Sequence, residues 1–149
     1  MPALPQPPTS PAAGADFCWP VRVYFEDTDC GGVVYHTGYL RFMERARTEW
    51  LRALGFDQGR LRAELGAAFA VRRLQADYRR PAVLDDELRV ESRVQRRRRT
   101  ALEFQQDVTR IRDAARLCRA SVEVVCLDAR TLRPRPLPPI FNGELPNVR

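Results

Sequence analysis

A ten-residue stretch near the N-terminus concentrates the side chains that could do chemistry. It runs from Asp27 to His36 and holds two carboxylates (Asp27 and Asp29), a glycine pair and the only histidine of the protein. Glycines let a ligand approach the backbone closely, and a carboxylate held beside that ligand can act as a general base or as a nucleophile. These residue types in this order indicate a catalytic loop.

The elements on either side of this loop must position it. An alternating apolar run predicts a strand over residues 17–26, with Val21, Val23 and Phe25 on one side. After the loop, apolar residues recur at three- and four-residue spacing and predict a helix over residues 38–54. A helix N-terminus offers unpaired backbone N–H groups and a partial positive charge, so this order suits the stabilisation of a developing negative charge.

The pattern in the remainder of the chain predicts mainly strands. Alternation predicts four of them, at about residues 69–78, 88–95, 102–108 and 118–126. The phase of the first slips near Arg72 and Arg73, which a β-bulge would explain. Asp57 and Gly66 suit the start and the end of a short second helix. The pattern predicts an α+β domain in which about five strands, mostly antiparallel, accompany one long helix, and a sheet with one helix leaves a face and edges that favour self-association.

Length and composition indicate a single globular domain. We expect it to span residues 16–140, after a disordered Pro- and Ala-rich leader at residues 1–15 and before a C-terminal tail at residues 141–149. No apolar run is long enough for a bilayer and no signal-peptide order is present, which predicts a cytoplasmic protein with at most peripheral membrane association. The four cysteines lack C-x-x-C and zinc-type spacing, so we expect free thiols and no metal site.

The basic side chains are all arginines and outnumber the acidic ones, which gives a net charge of +6. Guanidinium forks pair with phosphates, so nucleic acid, anionic lipid and a phosphorylated small molecule or carrier are all compatible partners. The arginine run at residues 96–99 reads as a hairpin tip, either solvated or in contact with phosphate. Because the aromatic residues lie mainly in apolar phase, we do not expect a nucleic-acid surface.

Several segments together identify a family resemblance. V-R-V-Y-F-E-D-T-D-C-G-G-V-V-Y-H at residues 21–36, followed by F-M-E-R-A-R-T-E at residues 42–49, resembles the Tol-Pal-associated acyl-CoA thioesterases, in the para-hydroxybenzoyl-CoA thioesterase branch of the hotdog fold. The resemblance continues through F-A-V-R-R, P-A-V-L-D-D-E-L and V-V-C-L-D, and covers residues 19–138 in register. It implies a curved antiparallel sheet wrapped around one long central helix, assembly as a homodimer or homotetramer with active sites at subunit interfaces, and no cofactor beyond the coenzyme A of the substrate.

The resemblance also implies roles for individual residues. Asp29 matches the catalytic aspartate of the family, and His36 matches a histidine that this subgroup commonly keeps at the start of the helix. The backbone amides from Tyr35 to Gly38 are then candidates for polarising a thioester carbonyl. One departure is Phe25, where the subgroup often has tyrosine, so any role of that hydroxyl is missing here.

Other assignments keep alternatives open at this stage. Asp29 could act as a general base or as a nucleophile, or could merely cap a turn beside Gly31. For Asp27 we expect hydrogen bonds to the loop backbone rather than chemistry. Arg98, and after it Arg97, are candidate contacts for the phosphates of coenzyme A.

The function implied is that of an acyl-CoA thioesterase, which hydrolyses an acyl-CoA or acyl-carrier thioester to a free acid and a thiol. The alternative is a partner of acyl carrier protein and of phospholipid synthesis in the Tol-Pal system, with hydrolysis secondary and the arginine surface docking acidic helices. A hotdog hydratase is disfavoured, because Asp29 and His36 do not have the D-x4-H spacing of that signature.

Overall fold

The structure is a computed structural model, and it describes residues 15–143. Residues 1–14, where most of the leader is predicted, and residues 144–149 of the predicted tail lie outside the described residues. In chain order the elements are β1 (Phe17–Arg22), a 3-10 turn (Phe25–Asp27), α1 (His36–Ala53), α2 (Gln58–Leu65), β2 (Ala67–Tyr78), β3 (Glu87–Arg97), β4 (Ala101–Arg110), β5 (Arg116–Asp128) and a second 3-10 turn (Pro139–Phe141).

The five strands form one antiparallel sheet. Their order is β1-β3-β4-β5-β2, so that β1 and β2 are the two edges. Strand β2 has an irregular register between Val71 and Arg73, where the sequence predicted a bulge. It pairs with β5 rather than with β3, a pairing that the sequence did not predict. The number of strands and the antiparallel arrangement expected for a hotdog sheet are therefore confirmed.

Helix α1 packs one face against the sheet. Its buried residues are Gly38, Tyr39, Phe42, Met43, Ala46, Trp50 and Leu51. The helix begins two residues earlier than predicted, at His36, and Leu54 is its C-cap. Five of the buried residues belong to the stripe that the three- and four-residue spacing predicted, because burial of such a stripe is what stabilises an amphipathic helix. Gly38 and Leu51 were not part of the predicted stripe, and Ala53, which was, is exposed at the end of the helix.

The single helix implied by the family resemblance is not confirmed, because the long helix α1 is accompanied by the short helix α2 within residues 15–143. In α2 the Asp57 carboxylate accepts a hydrogen bond from the Arg60 amide at 2.8 Å, and Gly66 closes the helix in the left-handed conformation. These are the two residues that the sequence predicted for a short second helix. Within residues 15–143 no helix is long and apolar enough to cross a bilayer.

The predicted first strand is too long. It ends at Arg22, because the Asp27 carboxylate accepts a hydrogen bond from the Tyr24 amide at 2.8 Å and closes a 3-10 turn in place of the last strand residues. Phe25 consequently leaves the face it was predicted to share with Val23 and is 81% exposed, whereas Val23 is buried. At the other end of the domain, the core extends to Phe141, one residue past the predicted boundary.

One buried glutamine links the helix to the sheet. Gln106 of β4 is completely buried, and its side-chain amide donates to the Met43 carbonyl of α1 at 3.0 Å and to the Ser92 hydroxyl of β3 at 2.9 Å. Its carbonyl oxygen accepts a hydrogen bond from the Arg47 guanidinium at 2.7 Å. Arg47 is half-buried, and this burial lowers the pKa of its guanidinium from the ordinary value, while the nearby Glu44 carboxylate acts in the opposite direction. The Gln106 cluster therefore sets where α1 lies on the sheet.

Replacing Gln106 with leucine keeps the side-chain volume and removes all three hydrogen bonds. We expect Gln106→Leu to lower the free energy of unfolding by about 1–3 kcal/mol, because the Arg47 guanidinium loses its neutral acceptor inside the protein. Urea denaturation followed by circular dichroism measures this difference. The matched control is Gln105→Leu, on the opposite face of β4, which we expect to change stability by no more than about 0.5 kcal/mol. Equal losses in the two variants would contradict a special role for Gln106.

Candidate active site

One of the two oxygens of the Asp29 carboxylate is hydrogen-bonded within its own loop. Its Oδ1 accepts hydrogen bonds from the amide of Gly31 at 2.8 Å and of Val33 at 3.5 Å. The backbone completes the turn, because the Asp29 amide donates to the Val33 carbonyl at 2.9 Å. Among residues 15–143 no hydrogen-bond donor reaches Oδ2, and the side chain is exposed. Turn capping, one of the alternatives from the sequence, therefore occupies one oxygen and leaves the other for a ligand.

The two glycines of the loop make this arrangement possible in different ways. A Cβ at Gly31 would lie 3.1 Å from Asp29 Oδ1, so a side chain there would crowd the carboxylate. Gly32 has a φ of 78°, in the left-handed region that favours glycine. The first glycine lets the amide approach the acid, and the second turns the chain.

Asp27 has the structural role that the sequence predicted. Besides its carboxylate contact with Tyr24, its backbone carbonyl accepts a hydrogen bond from the Tyr35 amide at 3.0 Å. The two ends of the loop are thus joined directly. Asp27 holds the loop closed and does not line the cleft described below.

The start of α1 offers backbone donors beside the loop. Tyr35 is the N-cap residue and makes no side-chain capping hydrogen bond. Of the donors predicted from the sequence, the Tyr35 amide is already bonded to Asp27, and the Gly38 amide donates to the Tyr35 carbonyl at 2.7 Å. The amides between them belong to His36 and Thr37, the first two helical residues, for which an α-helix provides no acceptor.

Gly38 contributes through its lack of a side chain. A Cβ at this position would lie 2.9 Å from Val34 Cγ1, closer than a methyl group tolerates. The first turn of α1 can therefore pack directly on Val34, which is itself buried. This contact keeps the helix start and the Asp29 loop at a fixed separation.

His36 lies at the surface of the same region. Its ring contacts the rings of Tyr35 and Tyr78 edge-on, with centroids 4.4 and 6.2 Å away. Its backbone carbonyl accepts a hydrogen bond from the Tyr78 hydroxyl at 2.9 Å. Desolvation raises the pKa of Tyr78, so the phenol stays protonated at neutral pH and continues to donate. The end of β2 is in this way attached to the start of α1.

These groups surround one open cleft of about 390 Å³. From the loop and the helix start it is lined by Asp29, Tyr35 and His36, three of the residues predicted from the sequence. On the other side it is lined by Tyr78, the last residue of β2, and by the three residues that follow it, Arg79-Arg80-Pro81. Sequence reasoning missed this second wall. The available signal was a pair of arginines between a strand end and a proline.

The structure does not bring the predicted arginines of the hairpin to this cleft within one chain. Arg98 pairs with Glu123 at 3.5 Å, and the Arg97 guanidinium donates to the carbonyls of Phe141 and Gly143. These arginines follow or end β3, whereas the segment just before β3 contacts the Asp29 loop, as the Val34 amide bonded to the Ala82 carbonyl shows. Since β3 has 11 residues, its ends lie roughly 30 Å apart at about 3.3 Å per residue.

A second, smaller pocket lies beside the C-terminal half of α1. It has a volume of about 120 Å³ and is mostly apolar, with walls from α1, β2, β4 and β5. Trp50, Phe69 and Phe104 contribute aromatic rings, and Glu44 and Arg47 provide charged groups. A pocket of this volume accommodates an apolar group about the size of a benzene ring.

Comparison with known proteins places this architecture in a family. The model of the thioesterase-like superfamily matches residues 23–145. The acyl-CoA thioester hydrolase YbgC of Escherichia coli O6:H1 is 48% identical over 128 residues, which cover 86% of this chain and 94% of the relative. The acyl-CoA thioesterase YbgC of Haemophilus influenzae is 47% identical over 122 residues, or 82% and 88% of the two chains.

Solved structures share the fold at lower sequence identity. A 1,4-dihydroxy-2-naphthoyl-CoA thioesterase from Synechocystis superposes with a TM-score of 0.80 at 23% identity, covering 87% of this chain and 94% of that one. At this identity the likeness extends to the fold alone. With the family model matched over nearly the whole described domain and two relatives close to half identical, the chain belongs to the thioesterase-like superfamily.

Proposed function

We propose that this protein is an acyl-CoA thioesterase, which hydrolyses an acyl-CoA or acyl-carrier thioester to a free acid and a thiol. The observation that carries the proposal is the free Asp29 Oδ2 in the same cleft as the start of α1. The names of the relatives that are close to half identical support the same chemistry. The reaction needs a proton acceptor or nucleophile on one side of the carbonyl and hydrogen-bond donors for its oxygen on the other.

The amides of His36 and Thr37 are the proposed donors to the carbonyl oxygen. As negative charge develops there, they and the partial positive charge of the helix N-terminus stabilise it. Loss of one such donor typically costs about 3–4 kcal/mol in the transition state. Tyr35 and Gly38, named from the sequence as substrate contacts, contribute by shaping this first turn, since their own amides are already bonded within the protein.

Asp29 is the proposed catalytic carboxylate, by one of two routes. As a general base its Oδ2 removes a proton from water, whose oxygen attacks the carbonyl carbon. The tetrahedral intermediate then expels the thiolate, which takes up a proton. As a nucleophile, Oδ2 itself attacks and expels the thiolate, and water cleaves the mixed anhydride. We assign to His36 a hydrogen bond to the reacting thioester, which its exposed ring in the cleft supports.

Substitution of Asp29 by asparagine tests this assignment. An asparagine Oδ1 can still accept from Gly31, so we expect Asp29→Asn to keep the fold and the melting temperature. It loses the basic oxygen, so kcat for acyl-CoA hydrolysis should fall by about 100-fold or more. Thiol release from a panel of acyl-CoA substrates measures the rate.

The control for this variant is Glu64→Gln, which removes an exposed carboxylate of α2, outside the cleft and away from the β2 edge. We expect its turnover to match that of the wild type. A kcat of Asp29→Asn within twofold of the wild type would show that Asp29 is not the catalytic group.

We propose further that the active unit is a homodimer, or a homotetramer built from such dimers, joined through the β2 edges. Unpaired edge strands invite pairing, and β2 is 12 residues long, whereas the opposite edge, β1, has six residues and contains Pro20. Antiparallel pairing of two β2 strands would set the hairpin end of one copy beside the Asp29 end of the other. Such an arrangement would let Arg98 and Arg97 of one copy face the cleft of the second.

A charge at the middle of β2 tests this interface. Val71 is exposed on the edge strand, and Val71→Asp would set two like charges near each other across a two-fold axis. We expect dimer association to weaken by roughly tenfold or more, with activity lost in parallel. Sedimentation velocity and thiol release measure the two effects. Leu132→Asp, at an exposed position of the loop after β5, should change neither, and a fully dimeric Val71→Asp would argue against the β2 interface.

The branch of the superfamily to which this chain belongs, and its location in the cell, are also proposals. The motif of residues 21–36 supports a Tol-Pal-associated thioesterase of the para-hydroxybenzoyl-CoA branch, acting in the cytoplasm. The alternative function, a partner of acyl carrier protein in phospholipid synthesis, is favoured by the net charge of +6 carried by arginines. Acyl carrier protein presents acidic helices, which such a surface attracts.

A titration with acyl carrier protein separates the two roles. If docking is electrostatic, we expect the dissociation constant to rise by roughly tenfold or more between low and moderate salt, because the ionic atmosphere screens exposed charges. Fluorescence anisotropy of a labelled carrier measures binding, and bovine albumin serves as an acidic control protein. Absence of binding at low salt would leave hydrolysis of acyl-CoA as the function and remove the partner role.

A further inference from the structure

We propose that Arg79 and Arg80 form a phosphate-binding site at the rim of the Asp29 cleft, and that they receive the phosphate at the end of the substrate's pantetheine arm. This inference rests on the proposed function, and it names how that same cleft selects a carrier-linked thioester. Neither arginine was singled out by the sequence, where the hairpin arginines were the candidates.

The first support is the position of the two residues. Arg79 and Arg80 line the cleft that also contains Asp29, and both are exposed. Their backbone is held in place, because both amides donate to the Leu117 carbonyl, at 2.8 and 3.2 Å. Tyr78, just before them, is bonded to the start of α1. Two guanidinium groups thus extend from an anchored backbone, while the rest of each side chain is able to adapt to a ligand.

The second support is that their charges are available. Within residues 15–143 neither the Arg79 nor the Arg80 guanidinium has a hydrogen bond or an ion pair. The nearby arginines differ, since Arg110 pairs with Asp113 at 2.9 Å and with Asp86 at 3.6 Å, and Arg112 pairs with Asp86 at 3.8 Å. The carboxylates of Asp86 and Asp113 are therefore already paired with arginines other than Arg79 and Arg80.

The hairpin arginines are less available in one chain. Arg98 and Arg72 share the Glu123 carboxylate, at 3.5 and 3.7 Å, and Arg97 donates to two backbone carbonyls. Any ligand contact by these groups would have to displace or share an existing partner. At the cleft, by contrast, an anion could bind without breaking an existing ion pair. The Arg79 and Arg80 guanidinium groups are therefore more available to a phosphate than those of the hairpin.

The third support is the chemistry of the substrate. Hydrolysis requires the thioester at Asp29, and the pantetheine arm leads away from it to a phosphate in acyl-CoA and in acyl carrier protein alike. A guanidinium presents a planar fork that binds phosphate oxygens through two parallel hydrogen bonds. Two adjacent cations match the charge of a pyrophosphate or a phosphate monoester, and the arm itself, which is neutral, needs no such partner.

The test is the double variant Arg79→Gln/Arg80→Gln with one acyl group on three carriers: coenzyme A, phosphopantetheine and pantetheine without phosphate. We expect KM for the two phosphorylated substrates to rise by about 10–100-fold with kcat nearly unchanged, because charge-assisted hydrogen bonds to the phosphate are lost. Turnover of acyl-pantetheine should be the same as in the wild type. Arg130→Gln/Arg133→Gln removes the same charge from the loop after β5 and should leave every value unchanged.

Several outcomes would overturn the assignment. An equal loss of kcat/KM with acyl-pantetheine would mean that the arginines act on the loop or the acyl group. An unchanged KM for acyl-phosphopantetheine would mean that they do not bind the phosphate of the arm.

Acyl carrier protein as a fourth substrate identifies the source of the phosphate. A larger loss of kcat/KM with acyl carrier protein than with acyl-CoA assigns the site to the carrier phosphodiester, and the reverse assigns it to the nucleotide.

Calorimetric titration with free coenzyme A separates this proposal from the proposed hydrolysis. We expect its dissociation constant to rise by about 10–100-fold in Arg79→Gln/Arg80→Gln, whether or not the protein turns over any thioester. If the wild type binds coenzyme A through these arginines without hydrolysis, the catalytic proposal fails and the phosphate site stands. If affinity is equal in the wild type and the variant, the phosphate site fails while Asp29 catalysis is still measurable with acyl-pantetheine.

Discussion

The position of α1 on the sheet is the constraint on which the site depends. Gln106 satisfies a carbonyl of the helix, a hydroxyl of β3 and the Arg47 guanidinium from one completely buried position. Because unpaired polar groups inside a protein are costly, a shift of the helix along the sheet would break several hydrogen bonds together. The Tyr78 hydroxyl makes a second link, at the first residue of the helix. Donors at a helix N-terminus are useful to a reaction only if the helix cannot slide.

In the loop before α1, the two oxygens of the Asp29 carboxylate have different surroundings. Asp29 uses Oδ1 to hold the loop and leaves Oδ2 free in the cleft, so the side chain that determines the shape of the loop is also the proposed catalytic carboxylate. This arrangement explains the two glycines, one giving access to the acid and the other supplying a positive φ. It also explains why turn capping and catalysis, which the sequence left as alternatives, are compatible roles for Asp29. An aspartate that caps its own turn is already oriented before a substrate arrives.

Much of the site could be predicted because it is local in the chain. The loop, the helix stripe, the structural role of Asp27 and the bulge in β2 all follow from patterns within about ten residues. The errors arose where hydrogen bonds compete. Alternation continued through Phe25, yet the Asp27 carboxylate closed a turn there, and the Tyr35 and Gly38 amides proved to be bonded inside the protein. Residue types show which groups can donate, but only the closed loop shows which donors already have an acceptor.

The chain alone determined an α+β domain, an antiparallel sheet with a long amphipathic helix and an acidic Gly-containing loop at the helix start, because periodicity and turn chemistry are written in neighbouring residues. Only the tertiary structure decided which distant segments share the cleft. The order β1-β3-β4-β5-β2 brings the end of β2, with Arg79 and Arg80, against the start of α1, and sends Arg98 to the other end of β3. The physical reason is that strand order and register depend on pairing between segments far apart in the chain. A local pattern of residue types does not show which end of one strand lies beside which end of another.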